Sequence, residues 1–221
     1  MKAVIQHAPT AIQTPDDYVA RANILWASTL ALNGIPGNGR VGGWTCHPIE
    51  HELSAYYDIT HGIGLAILTP RWMVYCLNHD ATTIPKFAQY ARNVWHLEGD
   101  DEIIAHQAVK ATHDFLKSLG IPMTLPEVGI TTDELVTEMS AQAVQHGHLT
   151  QSAYVALEND DVAEIIRASF DEARAGVSAS LYSTAADDAY INGGDVKWDA
   201  AASFETKLKQ IITQKWIAIF P

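Results

Sequence analysis

Three histidines crowd one short stretch of this chain, WTCHPIEHELSAYYDITHGIGLAILTP from Trp44 to Pro70, with few other charges nearby. His47 and His51 stand four residues apart, so on a helix both imidazoles project from one face. His61 follows after a break near Tyr57, where Asp58 or Thr60 is placed to cap a second helix. If that helix end faces the His47/His51 side, the three rings converge on one point. Imidazole is a common ligand for borderline divalent cations such as iron, zinc, nickel and copper. The zincin pattern is excluded, because it needs Glu directly after the first His and Pro48 stands there. Glu50 and Glu52 flank His51 and read as pointing to other faces, either as partners behind a ligand or as a solvated surface.

Two other chemistries find no support. The glycine-rich run GIPGNGRVGG follows no strand and lacks a Walker lysine, so it is not read as a phosphate cradle. No G-x-S-x-G elbow supports a serine triad.

The elements that must position the histidines are helical. Cys46, Ile49, Leu53 and Ala55 supply an apolar side for the helix carrying His47 and His51. Upstream, Lys2 to Ala11 reads as the tail of a helix whose start is missing, and Pro15-Asp16-Asp17 opens a second one running to Asn33. Gly34 to Gly43 reads as a loop. The helix from His61 should reach about Leu77, with a kink or break near Thr69 ahead of Pro70. Further helices are predicted over Pro85–Leu97, from Asp100/Asp101 to Leu119, from Thr132/Asp133 to Gln145, and from Asn159 or Asp160 to Phe170. His106 and His113 share a side of one of these, and His146 and His148 flank a turn; neither pair reads as catalytic. Strand signals are nearly absent, so the fold class is all-α, a helical bundle.

Composition fits this picture. A hydrophobic content of 48% marks a soluble globular protein. A formal charge of −12 argues against binding nucleic acid phosphates or anionic lipid. No leader or membrane span is visible, so a cytoplasmic location is expected. Cys46 and Cys76 lie in apolar helical text and read as reduced, buried thiols.

The segment CHPIEHELSAYYDITHGIGLAILTP, with DDYVARANILWASTLALNG before it and FAQYARNVW after it, resembles the metal-binding signature of the iron-containing (group III) alcohol dehydrogenases, in particular the NADPH-dependent butanol dehydrogenase and aldehyde reductase branch. The likeness covers about residues 1–170 and implies the family's all-helical C-terminal domain. It implies that His47 and His61 ligate a divalent metal (iron, zinc or nickel) and that His51 lies beside metal and substrate as the catalytic histidine. The family's other two ligands come from a D-x3-H helix, and no Asp-x3-His occurs in this chain. A metal is therefore expected to bind weakly. The family's nucleotide-binding α/β domain has no counterpart here: no Gly-x-Gly-x-x-Gly follows a strand. NADPH belongs to full-length relatives, and its binding domain is absent from this text.

From about Asp171 the composition shifts, and SLYSTAADDAYINGGDVKWDAAASFETKLKQIITQKWIAIFP is similar to a late segment of SusD-like glycan-binding proteins. The reading is a first domain over 1–170 and an unrelated, mostly helical tail over 171–221, joined between Phe170 and Gly176 as in a rearranged reading frame. Function is expected to be that of a metal-binding helical fragment of an alcohol dehydrogenase or aldehyde reductase, without NADPH-linked activity alone. The alternatives are a metal-assisted hydrolase and a non-catalytic fragment. A homo-oligomer is expected as partner, with a small alcohol or aldehyde as substrate if the chain is active.

Overall fold

The computed structural model describes residues 1–39 and 43–171. The mostly helical tail expected beyond residue 171 and residues 40–42 of the glycine-rich loop lie outside the described residues. Among the described residues the regular elements are helices: α1 (Lys2–Gln13), α2 (Tyr18–Leu32), α3 (Cys46–Tyr57), α4 (His61–His79), α5 (Ile84–Tyr90), α6 (Asp101–Ser118), α7 (Val136–Gly147), α8 (Leu149–Ser152) and α9 (Asn159–Ala168). The all-α expectation holds.

Local chemistry sets most of the boundaries. Asp17 caps α2 by accepting a bond from the Ala20 amide at 2.7 Å, and the Asp100 carboxylate accepts from Glu102 and Ile103 at the start of α6. At α9 the cap is Glu158, one residue before the expected Asn159, in a reciprocal capping box with Asp161. The helix predicted from Thr132 begins later, at Val136. The segment predicted as one helix over Pro85–Leu97 is α5 followed by a π-helical turn, Ala91–Trp95, which ends at His96 with φ 57°.

Helix α4 organises the rest. Every residue from Gly62 to Arg71 is buried, which marks a helix surrounded on all sides rather than lying on a surface. Its side chains enter three apolar clusters: Ile63, Ile67 and Leu68 meet α3, α7 and α9; Leu65 and Ala66 meet α1 and α2; Met73 and Leu77 meet α5 and α6. Of the kink or break expected near Thr69, the break does not occur, for the helix runs through Pro70. A proline removes one backbone donor, here the one that would meet the Ala66 carbonyl, but burial of Gly62 to Arg71 on every side holds the surrounding turns. Cys46 and Cys76 are free and buried, and burial pushes the Cys46 thiol up to about 12. No helix among the described residues is long and apolar enough to cross a membrane.

Candidate metal centre

Helix α3 carries His47, Glu50, His51 and Ser54, an i, i+3, i+4, i+7 stripe along one side. Its opposite side buries Cys46, Ile49 and Leu53; Ala55, expected with them, is exposed. The helix ends at Asp58, in the left-handed region at φ 50°, whose amide still donates to the Ser54 carbonyl at 2.9 Å. Asp58 thus turns the chain out of α3 and does not cap α4. Thr60 occupies the N-cap position of α4, without a side-chain bond. The tight connection sets His61, the first residue of α4, against the histidine stripe of α3.

The three histidines come together. Ring centroids lie 5.3 Å apart for His47 and His61, 5.2 Å for His51 and His61, and 6.3 Å for His47 and His51. With metal–nitrogen bonds of about 2.0–2.1 Å, two imidazoles sharing a tetrahedral cation hold their centroids roughly 5 Å apart. His61 meets that spacing with either partner, whereas the His47–His51 separation is wider. Ligating atoms of Glu50, His51 and His61 also lie within 4.8 Å of one another. His61 is common to both arrangements.

Each histidine sits in a different environment. His47 is buried, and its Nδ1 has no hydrogen-bond partner. Burial, with His61 and His51 beside it, pushes its imidazole down to about 4. A neutral ring is the form that ligates a metal. Trp44 packs edge-on against it at 4.3 Å between centroids. His51 is exposed. His61 is 39% exposed and its Nδ1 contacts the Glu50 carboxylate directly. An orphaned buried nitrogen and rings at metal-sharing distance fit a divalent cation.

Glu50 is neither solvated nor directed elsewhere. It is fully buried, and its Oε1 accepts from the Ser54 hydroxyl at 2.6 Å. The expectation that it points to another face fails because position 50 lies three residues after His47 and four before Ser54, along the same stripe. Sequence reasoning also passed over His146. The C-terminus of α7 docks on the start of α3, so closely that a Cβ on Gly147 would stand 2.5 Å from the Pro48 Cβ. That approach sets the His146 Nδ1 at 2.9 Å from the Glu52 Oε1. Trp44, His47, Pro48, His51, Glu52 and His146 line a cleft of about 350 Å³ beside the histidines. The glycine at 147 beside a proline-containing helix start is the one sequence signal for this contact, and it needs the tertiary fold to be read.

Residues 1–170 match the model of the Fe-containing alcohol dehydrogenase family, C-terminal. Residues 144–221 match that of the Susd and RagB outer membrane lipoproteins, so the two matches overlap over 144–170. Among curated relatives, the NADH-dependent butanol dehydrogenase A of Clostridium acetobutylicum is 48% identical over 172 residues, covering 77% of this chain and 43% of that protein. The NADPH-dependent aldehyde reductase YqhD of Escherichia coli is 34% identical over 173 residues, covering 77% of this chain and 42% of that protein. Relatives thus include proteins named for NADH as well as NADPH. Among solved structures, NADH-dependent butanol dehydrogenase A of Thermotoga maritima superposes with a TM-score of 0.69 at 34% identity, covering 77% of this chain and 44% of that one. The chain spans less than half the length of these relatives. It belongs to the iron-containing alcohol dehydrogenase family and carries the helical C-terminal part of it.

Proposed function

We propose that this chain is the metal-holding helical part of an alcohol dehydrogenase or aldehyde reductase, with His47 and His61 as protein ligands of a divalent cation (iron, zinc or nickel). The convergence of three imidazoles from α3 and α4 at one edge of a cleft, His47 with an orphaned buried nitrogen among them, carries this reading. The bound cation would supply Lewis acidity, polarising a carbonyl or hydroxyl oxygen. His51, exposed at the cleft and four residues from His47, is the group that hands a proton to or from that oxygen. Trp44 and Pro48 offer apolar walls to a small alcohol or aldehyde. Two imidazoles leave coordination positions to water, so the cation is held weakly.

The described residues do not fit a nicotinamide dinucleotide. Its pyrophosphate needs a glycine-rich turn between a strand and a helix, and no strand occurs among the described residues.

The test is equilibrium dialysis of the purified chain against excess Zn²⁺ or Fe²⁺, which reads bound metal at equilibrium even where it is held weakly. About one ion per chain is the expected result; no bound ion removes this reading in favour of a non-catalytic fragment.

We further propose a cytoplasmic location and a second copy of the chain as partner. Tyr18, Val19, Leu25, Trp26 and Leu32, all on α2, and Ile35 just beyond it are more than half exposed. Apolar patches of several hundred Å² are uncommon on monomers. Sedimentation at micromolar concentration should give a dimer or larger, and Trp26→Glu should shift it towards monomer. A wild-type chain that sediments as a clean monomer contradicts the proposal.

A further inference from the structure

We infer that Glu50 is a positioning residue for His61: it holds the ring in the tautomer that carries its proton on Nδ1 and so leaves Nε2 to a cation. The consequence for metal affinity rests on the metal-binding reading above; the tautomer itself does not.

The surroundings of Glu50 are built around its carboxylate. The residue is 0% exposed, and a carboxylate in such a place is costly unless its oxygens are paired. Both are. Oε1 accepts from the Ser54 hydroxyl at 2.6 Å, and Oε2 faces the His61 Nδ1. Ser54 is itself held, donating also towards the Ile59 carbonyl at 3.1 Å. Across the α3–α4 interface, the space for the side chain exists because position 64 is glycine. A Cβ there would stand 2.6 Å from the Glu50 Oε1 and 2.7 Å from its Cγ. Room, a fixed orientation and one nitrogen of His61 thus come from three separate residues.

Such an arrangement does two things to an imidazole. A carboxylate on Nδ1–H fixes tautomer and ring orientation, and it raises the basicity of the other nitrogen. It also sets one negative charge behind a site whose other donors are neutral rings, offsetting part of a divalent charge. The chain lacks the Asp-x3-His helix of its relatives' signature, so this is the nearest anion that α3 and α4 supply to His61. A purely structural Glu50 would tie α3 to α4 without affecting the nitrogen chemistry of His61.

Two readouts separate these roles. In the metal-free chain at pH 8, nitrogen-15 side-chain NMR should show His61 protonated on Nδ1 with Nε2 unprotonated. In Glu50→Leu, whose Ser54 retains the Ile59 carbonyl, that preference should vanish, and Zn²⁺ affinity measured by calorimetry should fall about 10–100-fold. Gly64→Ala leaves every polar group in place but pushes the Glu50 carboxylate aside. It should move both readouts in the same direction, and it carries the test if Glu50→Leu does not fold. A wild-type His61 protonated on Nε2 overturns the inference, as does an unchanged tautomer in both variants. A wild-type chain that binds no Zn²⁺ yet shows the Nδ1–H tautomer, lost in the variants, overturns only the metal reading and upholds the role of Glu50.

Discussion

Loaded with metal and given NADPH or NADH and a small aldehyde, the 221-residue chain on its own should show no measurable cofactor oxidation at 340 nm. Hydride transfer needs the cofactor's reactive carbon about 3–3.5 Å from the substrate carbonyl, held in line by both binding surfaces. The histidines of α3 and α4 form one such surface. The other requires a strand–turn–helix phosphate site, and the described residues are helical throughout their regular elements. Removing one well-placed electrostatic group typically costs about two orders of magnitude or more, and the described residues leave a whole binding wall unsupplied. The curated relatives are more than twice the length that this chain spans in them. Robust NADPH- or NADH-linked turnover by the purified chain, abolished in His61→Ala, would show that the chain builds a cofactor site from other residues.

His47→Ala and His61→Ala should each lower Zn²⁺ affinity by at least about 100-fold, since even partners behind a metal's ligands are worth about 10–100-fold. His51→Ala should cost less, about tenfold, because His51 stands beside the cation in this reading, outside its ligand set. The stability consequences differ as well. His51 is exposed, and its replacement should change stability by no more than about 0.5 kcal/mol. His47 packs in the interior against Trp44, so thermal melts must accompany its titration. Equal losses from all three substitutions would instead assign a three-histidine ligand set, in which the wide His47–His51 spacing closes on binding.

Much of this is legible in the amino-acid sequence alone. Asp17, Asp100 and the apolar side of α3 announce their helices because capping and 3.6-residue periodicity act over a few neighbours. The i, i+4 pairing of His47 and His51 is likewise local. What was not legible depends on residues distant in sequence. Pro70 looks like a break by its own chemistry, yet α4 is enclosed by helices on every side and stays whole. Glu50 reads either as a partner behind a ligand or as solvated surface until Gly64 is known to face it. His146 gains meaning only when α7 docks on Pro48 and brings it to Glu52, 94 residues away in sequence. The tail presents a different case: its resemblance to SusD-like proteins reappears in the family match, which begins at residue 144, inside the helical fold, where composition gave no sign of a boundary.

The central claim is that a divalent cation sits on imidazoles at the meeting point of α3 and α4. The X-ray absorption spectrum of the Zn²⁺-loaded chain, recorded with its metal content, tests it most directly. The account predicts about one ion per chain, with at least two nitrogen neighbours at about 2.0–2.1 Å and the multiple-scattering signature of imidazole. That signature should be lost in the His47→Ala, His61→Ala double variant. A first shell of oxygen alone, or an imidazole signature that survives in the double variant, would contradict it.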